Sequence, residues 1–91
     1  MSLVHKNIYV YGYVQGVFFR ATAKKIADKF GVKGIIRNEP DGRVYAEAEG
    51  EEGAVNGFAY WCNEGPSGAR VRGLEITDGA VKGYRDFEII K

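Results

Sequence analysis

The sequence predicts an α+β sandwich, an antiparallel sheet with two helices packed on one face. Three observations carry that prediction. Strand-like alternation and helix-like periodicity succeed one another in the order β-α-β-β-α-β. A chain of 91 residues supports one hydrophobic core and no second. Short turn segments, with no polar linker or internal repeat, separate the elements. A single domain over residues 1–91 is therefore expected.

Ile8 to Val14 reads IYVYGYV, with Ile8 and Val10 on one face and Tyr9, Tyr11 and Tyr13 on the other, a half-buried strand. Phe19, Ala23, Ile26, Ala27 and Phe30 recur at helical spacing. They form the apolar stripe of a helix over about 21–30 that Gly31 ends. KGIIRN is a second strand, EPDGR a turn and VYAEAEG a third strand, so the two strands form a hairpin. Val44, Ala46 and Ala48 face one way in it, and Tyr45, Glu47 and Glu49 face the other, where the two carboxylates are expected in solvent. Val55, Phe58, Ala59 and Cys62 mark a second helix. Gly53 and Gly57 each cost it about 1 kcal/mol relative to alanine, so packing must hold it. ARVRGLEIT puts Val71 on one parity and Leu74 and Ile76 on the other, which a bulge near Arg72 and Gly73 reconciles. DFEII closes the sheet. This order is the split βαβ, or ferredoxin-like, arrangement, which by itself fixes no function.

Thirteen basic and twelve acidic side chains give a net charge of +1, without the basic excess that grips a phosphodiester backbone. Charge points to neither nucleic acid nor membrane. Lys24, Lys25, Lys29 and Lys33 cluster, but Asp28 interrupts them as on an ordinary solvated helix face. Cys62 is the single cysteine and falls on the apolar stripe of the second helix, a core position. Unpaired cysteine, the lack of an apolar leader after Met1 and the lack of an 18-residue apolar run indicate a soluble, cytoplasmic protein. His5, the only histidine, is expected at the surface near the chain start. No group of Cys, His, Asp and Glu has metal-ligand spacing.

The chemistry concentrates between the first strand and first helix, in QGVFFR. Gly16 lets successive backbone N–H groups turn toward one point, to which the helix adds its positive end. Such a concavity suits an anion. Arg20 adds a permanent charge and a planar fork matched to two phosphate oxygens. Neither G-x-x-x-x-G-K-[ST] nor G-x-G-x-x-G occurs, so a whole nucleotide is not expected. From composition alone, a glycine turn followed by an arginine in a surface salt bridge explains the stretch equally well. Asn38, near the end of the second strand, shares the helix-side parity of Ile36. Its amide can either tie down backbone or hold a water beside a phosphoryl oxygen.

VYGYVQGVFFR resembles the first signature of the acylphosphatase family, matching at Gly12, Val14, Gln15, Gly16, Val17, Phe19 and Arg20. GIIRNEPDGRVYAEAEG resembles the second, at Gly34, Arg37, Asn38, Gly42, Val44 and Gly50. GPSGARV and DFEII resemble the last strands, so the similarity runs from about Ile8 to Ile90. Ile35 and Ile36 depart from it, where the family usually carries an aromatic and a smaller residue. The resemblance implies that backbone amides of Gln15, Gly16, Val17, Phe18, Phe19 and Arg20 cradle a phosphate, that the Arg20 side chain grips it, and that Asn38 orients the attacking water. It implies hydrolysis of a small-molecule acyl phosphate by a monomer, without metal, cofactor or phosphoenzyme.

The residue inventory is consistent with that chemistry. Phosphoryl transfer asks a protein chiefly for positioning and charge stabilisation, and an acyl phosphate expels a carboxylate that needs no general acid. Two alternatives remain at this stage. One is an anion-binding or carbamoyl-transfer accessory domain, which the length of a stand-alone chain disfavours. The other is an RNA-recognition module that stacks bases on the tyrosine face. Glu47, Glu49 and the lack of the aromatic RNA-binding motif speak against the second.

Overall fold

The first strand, β1, begins upstream of the tyrosine run and covers Leu3–Tyr13 in a computed structural model that describes residues 2–91. Helix α1 follows over Phe19–Phe30, starting at the first residue of its apolar stripe and two residues earlier than the expected 21–30. Gly31, at φ 75°, ends it by donating its N–H to the Ala27 and Asp28 carbonyls, a left-handed cap that glycine adopts without steric cost. Strands β2 (Lys33–Asn38) and β3 (Val44–Glu51), helix α2 (Glu52–Glu64), and strands β4 (Arg70–Gly79) and β5 (Phe87–Ile89) complete the chain.

The sheet order is β4-β1-β3-β2-β5. The first four strands pair antiparallel, as expected of the ferredoxin-like fold. β5 adds a parallel pair with β2, in which Ile89 lies opposite Ile36. The sheet is therefore mixed, because the chain leaves β4 at one edge and crosses to the other before β5 forms. Tyr11 faces Gly73 and Gly12 faces Val71, so Arg72 is the extra residue of the anticipated bulge. Gly12 is required there: at φ 126° a Cβ would meet the Arg70 carbonyl oxygen at 2.2 Å.

Both helices cover the face formed by Ile8, Val10, Ile36, Val44, Ala46 and Ala48, all without solvent exposure. Phe58 meets Phe87 at a 59° tilt with centroids 5.3 Å apart, and Phe19 meets Trp61 at 5.2 Å. Phe19 thus anchors the start of α1 against α2. Cys62 is fully buried beside them, and burial pushes its thiol well above the ordinary range, so it takes no part in chemistry. Lys24 pairs with Asp28 at 3.0 Å on the outer face of α1. Among the described residues, no helix is long and apolar enough to cross a membrane.

The opposite face corrects two sequence expectations. Glu47 and Glu49 are only 6% and 4% exposed, and His5 only 2%. The segment 80–86, crossing from β4 to β5, covers them. Glu49 accepts backbone N–H groups from Lys82, Gly83 and Tyr84. Glu47 accepts from Lys82 Nζ at 2.8 Å, the Tyr84 hydroxyl at 2.7 Å and the Tyr45 hydroxyl at 2.6 Å. His5 Nδ1 lies 2.7 Å from Glu49 Oε2, and its Nε2 lies 2.9 Å from Asn7 Oδ1. Burial raises the pKa of each carboxyl, but these donors outweigh it. They bring Glu47 down to about 2 and hold Glu49 below its usual range.

Candidate active site

At the end of the sheet where β1 meets α1, a cavity of about 360 Å³ is lined by Gly16, Phe18, Phe19, Arg20 and Asn38, together with Val14, Ala21, Ile89 and Lys91. Three elements deliver these residues. The loop and first turn of α1 bring Gly16 to Ala21, the end of β2 brings Asn38, and the chain at β5 brings Ile89 and Lys91. Arg20 and Asn38, 18 positions apart in sequence, therefore share one cavity.

The loop bends because two successive left-handed turns are built into it, at Gly16 (φ 74°) and Phe18 (φ 62°). Among the described residues, none of the amides from Gln15 to Arg20 donates to a backbone carbonyl in a turn or loop pairing. Those in the first helical turn have no partner inside the helix in any case. Nothing in the chain takes their place at the helix end: α1 has no capping side chain and no acidic residue in its first turn. The positive end of the helix therefore opens into the cavity. Arg20 lies at this end and, among the described residues, makes no ion pair with a carboxylate. The surface salt bridge that competed as an explanation for Arg20 is not formed.

Asn38 pairs with Val44 at the last register position of the β2–β3 hairpin. Its Oδ1 is buried and accepts no hydrogen bond from the protein. Leaving such an oxygen dry is costly, which makes it a ready acceptor for a molecule in the cavity. The turn beyond it is firmly held. The Glu39 N–H donates to the Arg43 carbonyl at 2.8 Å, and Arg43 Nε donates to Asp41 at 2.8 Å. Hydrogen bonds from the Arg43 backbone and side chain keep the Asp41 carboxyl below its usual range.

Not every predicted loop residue points into the cavity. The Gln15 side chain turns to the hairpin, donating from Nε2 to the carbonyls of Glu39 and Arg43. Val17 packs against the hydrophobic core. Only their backbone amides remain for an anion. Conversely, Ile89 and Lys91 line the cavity without having been singled out, because no sequence pattern reveals that β5 lies alongside β2. Among the described residues, no group of three or more His, Cys, Asp or Glu side chains is placed to hold a metal ion.

Comparison with known proteins agrees with this architecture. The family model described as Acylphosphatase matches residues 6–89. An acylphosphatase of Rubrobacter xylanophilus is 52% identical over 84 residues, covering 91% of this chain and 76% of the relative. The crystal structure of acylphosphatase from Bacillus subtilis superposes with a TM-score of 0.94 at 34% identity, covering 97% of this chain and 99% of that one. A segment of full-length HypF, 12% of that chain, superposes on 99% of this one with a TM-score of 0.87 at 32% identity. The family match takes in most of β1, the loop, both helices and the strand that bears Asn38, and the chain belongs to the acylphosphatase family.

Proposed function

We propose that this acylphosphatase holds the phosphoryl group of its substrate in the loop from Gln15 to Arg20 and attacks it with a water positioned by Asn38. The observation that carries the reading is the convergence of Arg20, the start of α1 and the unpartnered Asn38 Oδ1 on one cavity.

The phosphoryl oxygens accept from the amides of Gln15, Gly16, Val17, Phe18, Phe19 and Arg20. The Arg20 guanidinium donates to two of them as a fork. These donors compensate charge on the equatorial oxygens, which carry much of it in a loose transition state. Asn38 Oδ1 accepts from the attacking water, and its amide N–H group donates to a phosphoryl oxygen, lining the water up opposite the leaving group. The water oxygen bonds to phosphorus as the bond from phosphorus to the acyl oxygen breaks. The products are a carboxylate and inorganic phosphate, and the carboxylate leaves without protonation. No step draws on a metal, a cofactor or a covalent enzyme intermediate. The enzyme works as a cytoplasmic monomer without a nucleic-acid partner, a reading that its near-zero net charge and one buried thiol support.

The test is the loss of ultraviolet absorbance of benzoyl phosphate in EDTA by the wild type, Arg20→Lys and Asn38→Ala. Losing the fork in Arg20→Lys should cost about 10²-fold or more in kcat/KM, the range for a removed oxyanion donor. Asn38→Ala should lose mainly kcat. Near-wild-type turnover by a folded Arg20→Lys variant would refute the phosphate-gripping role.

A further inference from the structure

Phe18 combines two features that the free protein does not compensate. Among the described residues it is the only non-glycine with positive φ, a conformation that costs a side chain with a Cβ roughly 1–2 kcal/mol. It is also 82% exposed, so its ring recovers little by burial. Glycine would satisfy the turn without strain. The benzyl group stands at the cavity that also contains Arg20 and Asn38.

Ile89 is the second apolar side chain of that rim. Opposite Ile36 in the parallel pair, it lies beside the strand that ends at Asn38, and it remains 36% exposed. Val14 and Phe19 line the same cavity but are buried in the core, and Ala21, exposed on the first turn of α1, presents only a methyl group. An acyl phosphate has a charged end for the cradle and a carbon chain that must leave the cradle toward the mouth.

We propose that Phe18 and Ile89 form an apolar rim that receives the acyl group and biases the enzyme toward phosphates of bulky apolar acids over acetyl phosphate. This rests on the phosphate lying in the 15–20 loop. Contact with a phenyl or long alkyl group buries surface on both partners, whereas an acetyl methyl is too short to span the rim.

The experiment measures kcat/KM for benzoyl and acetyl phosphate, with inorganic phosphate as competitor, in the wild type, Phe18→Gly, Phe18→Tyr and Ile89→Ser. Phe18→Gly suits the left-handed backbone. The benzoyl-to-acetyl ratio should fall about tenfold in Phe18→Gly, fall severalfold in Ile89→Ser, and stay within about twofold of wild type in Phe18→Tyr, which keeps the ring. A ratio unchanged in both Phe18→Gly and Ile89→Ser overturns the rim. Failure of phosphate to compete with either substrate in the wild type instead overturns the cradle, and the rim with it.

Discussion

The Gln15 side-chain amide donates to the Glu39 carbonyl at 2.8 Å, and the same nitrogen reaches the Arg43 carbonyl at 2.9 Å. One side chain at the mouth of the loop thereby fastens both ends of the β2–β3 turn. Asn38 immediately precedes that turn. Gln15 thus sets the separation between loop and Asn38 without lining the cavity itself.

Replacing Gln15 should therefore act through position. Gln15→Ala should lower kcat about ten- to hundredfold, the scale of an ångström-sized misplacement, and remove about 1–2 kcal/mol of stability through two lost hydrogen bonds, since the Glu39 and Arg43 carbonyls each keep a backbone donor. Gln15→Glu should be worse on both counts, because a carboxylate would face those carbonyls with no proton to share. Steady-state kinetics and urea unfolding of the pair check this. A Gln15→Glu variant more active than Gln15→Ala would show that geometry alone, without donation, suffices.

The carboxylates under the 80–86 crossover predict an acid-sensitive fold. Glu47 titrates at about 2 in the folded protein against an ordinary value of 4.5. A group depressed on folding contributes stability that is complete above its unfolded pKa and is lost as pH falls toward its folded pKa. Between pH 5 and pH 2 the wild type should therefore lose on the order of 2–3 kcal/mol through this residue. Glu47→Gln should be less stable at pH 7 but lose less across the same interval. Equal acid slopes in urea titrations of the two proteins would assign the sensitivity elsewhere.

How much of this was legible in the sequence depends on range. The stripe from Phe19 to Phe30, the 33–50 hairpin and the bulge at Arg72 follow from local periodicity and parity, and all three are present. The juxtaposition of Asn38 with the loop followed from the parity shared with Ile36. Parity assigned Glu47 and Glu49 to the same side as Tyr45 but was silent on what covers that side. The covering segment, AVKGYRD, has no periodicity, and its donors lie 33 to 37 residues from the carboxylates they meet. His5 was misjudged for the same reason. Phe18 was read for its amide only, since nothing in a Phe-Phe-Arg string announces a left-handed backbone.

Two glycines should respond to alanine with opposite signs. At Gly34, φ is 151° and a Cβ would come within 1.8 Å of the Glu47 carbonyl oxygen, where β2 pairs with both β3 and β5. Gly34→Ala must displace that backbone and should cost more than about 2 kcal/mol, in the range of overpacked cores. Gly53, in the first turn of α2, has ordinary φ and nothing within 4 Å of a Cβ. Gly53→Ala should stabilise by about 0.5 kcal/mol through a less flexible unfolded chain. Thermal unfolding of both variants decides the matter, and destabilisation by Gly53→Ala would contradict the open space around it.

Inorganic phosphate separates gripping from water positioning without any turnover. A ligand that binds only the folded state stabilises it by RT ln(1 + [L]/Kd), about 1.4 kcal/mol at ten times Kd. For a chain of this length that corresponds to a rise in Tm of roughly 6–11 °C. The wild type should show this rise, and Arg20→Ala should lose most of it along with the guanidinium fork. Asn38→Ala should keep most of it, because the loop amides and Arg20 remain and only one amide donor is lost along with the water site. Differential scanning calorimetry with sulfate-free phosphate, against sodium chloride of matched ionic strength, isolates the specific effect from screening. A phosphate response abolished by Asn38→Ala and retained by Arg20→Ala would exchange the two roles, making the strand residue the anchor and leaving the arginine to the transition state alone.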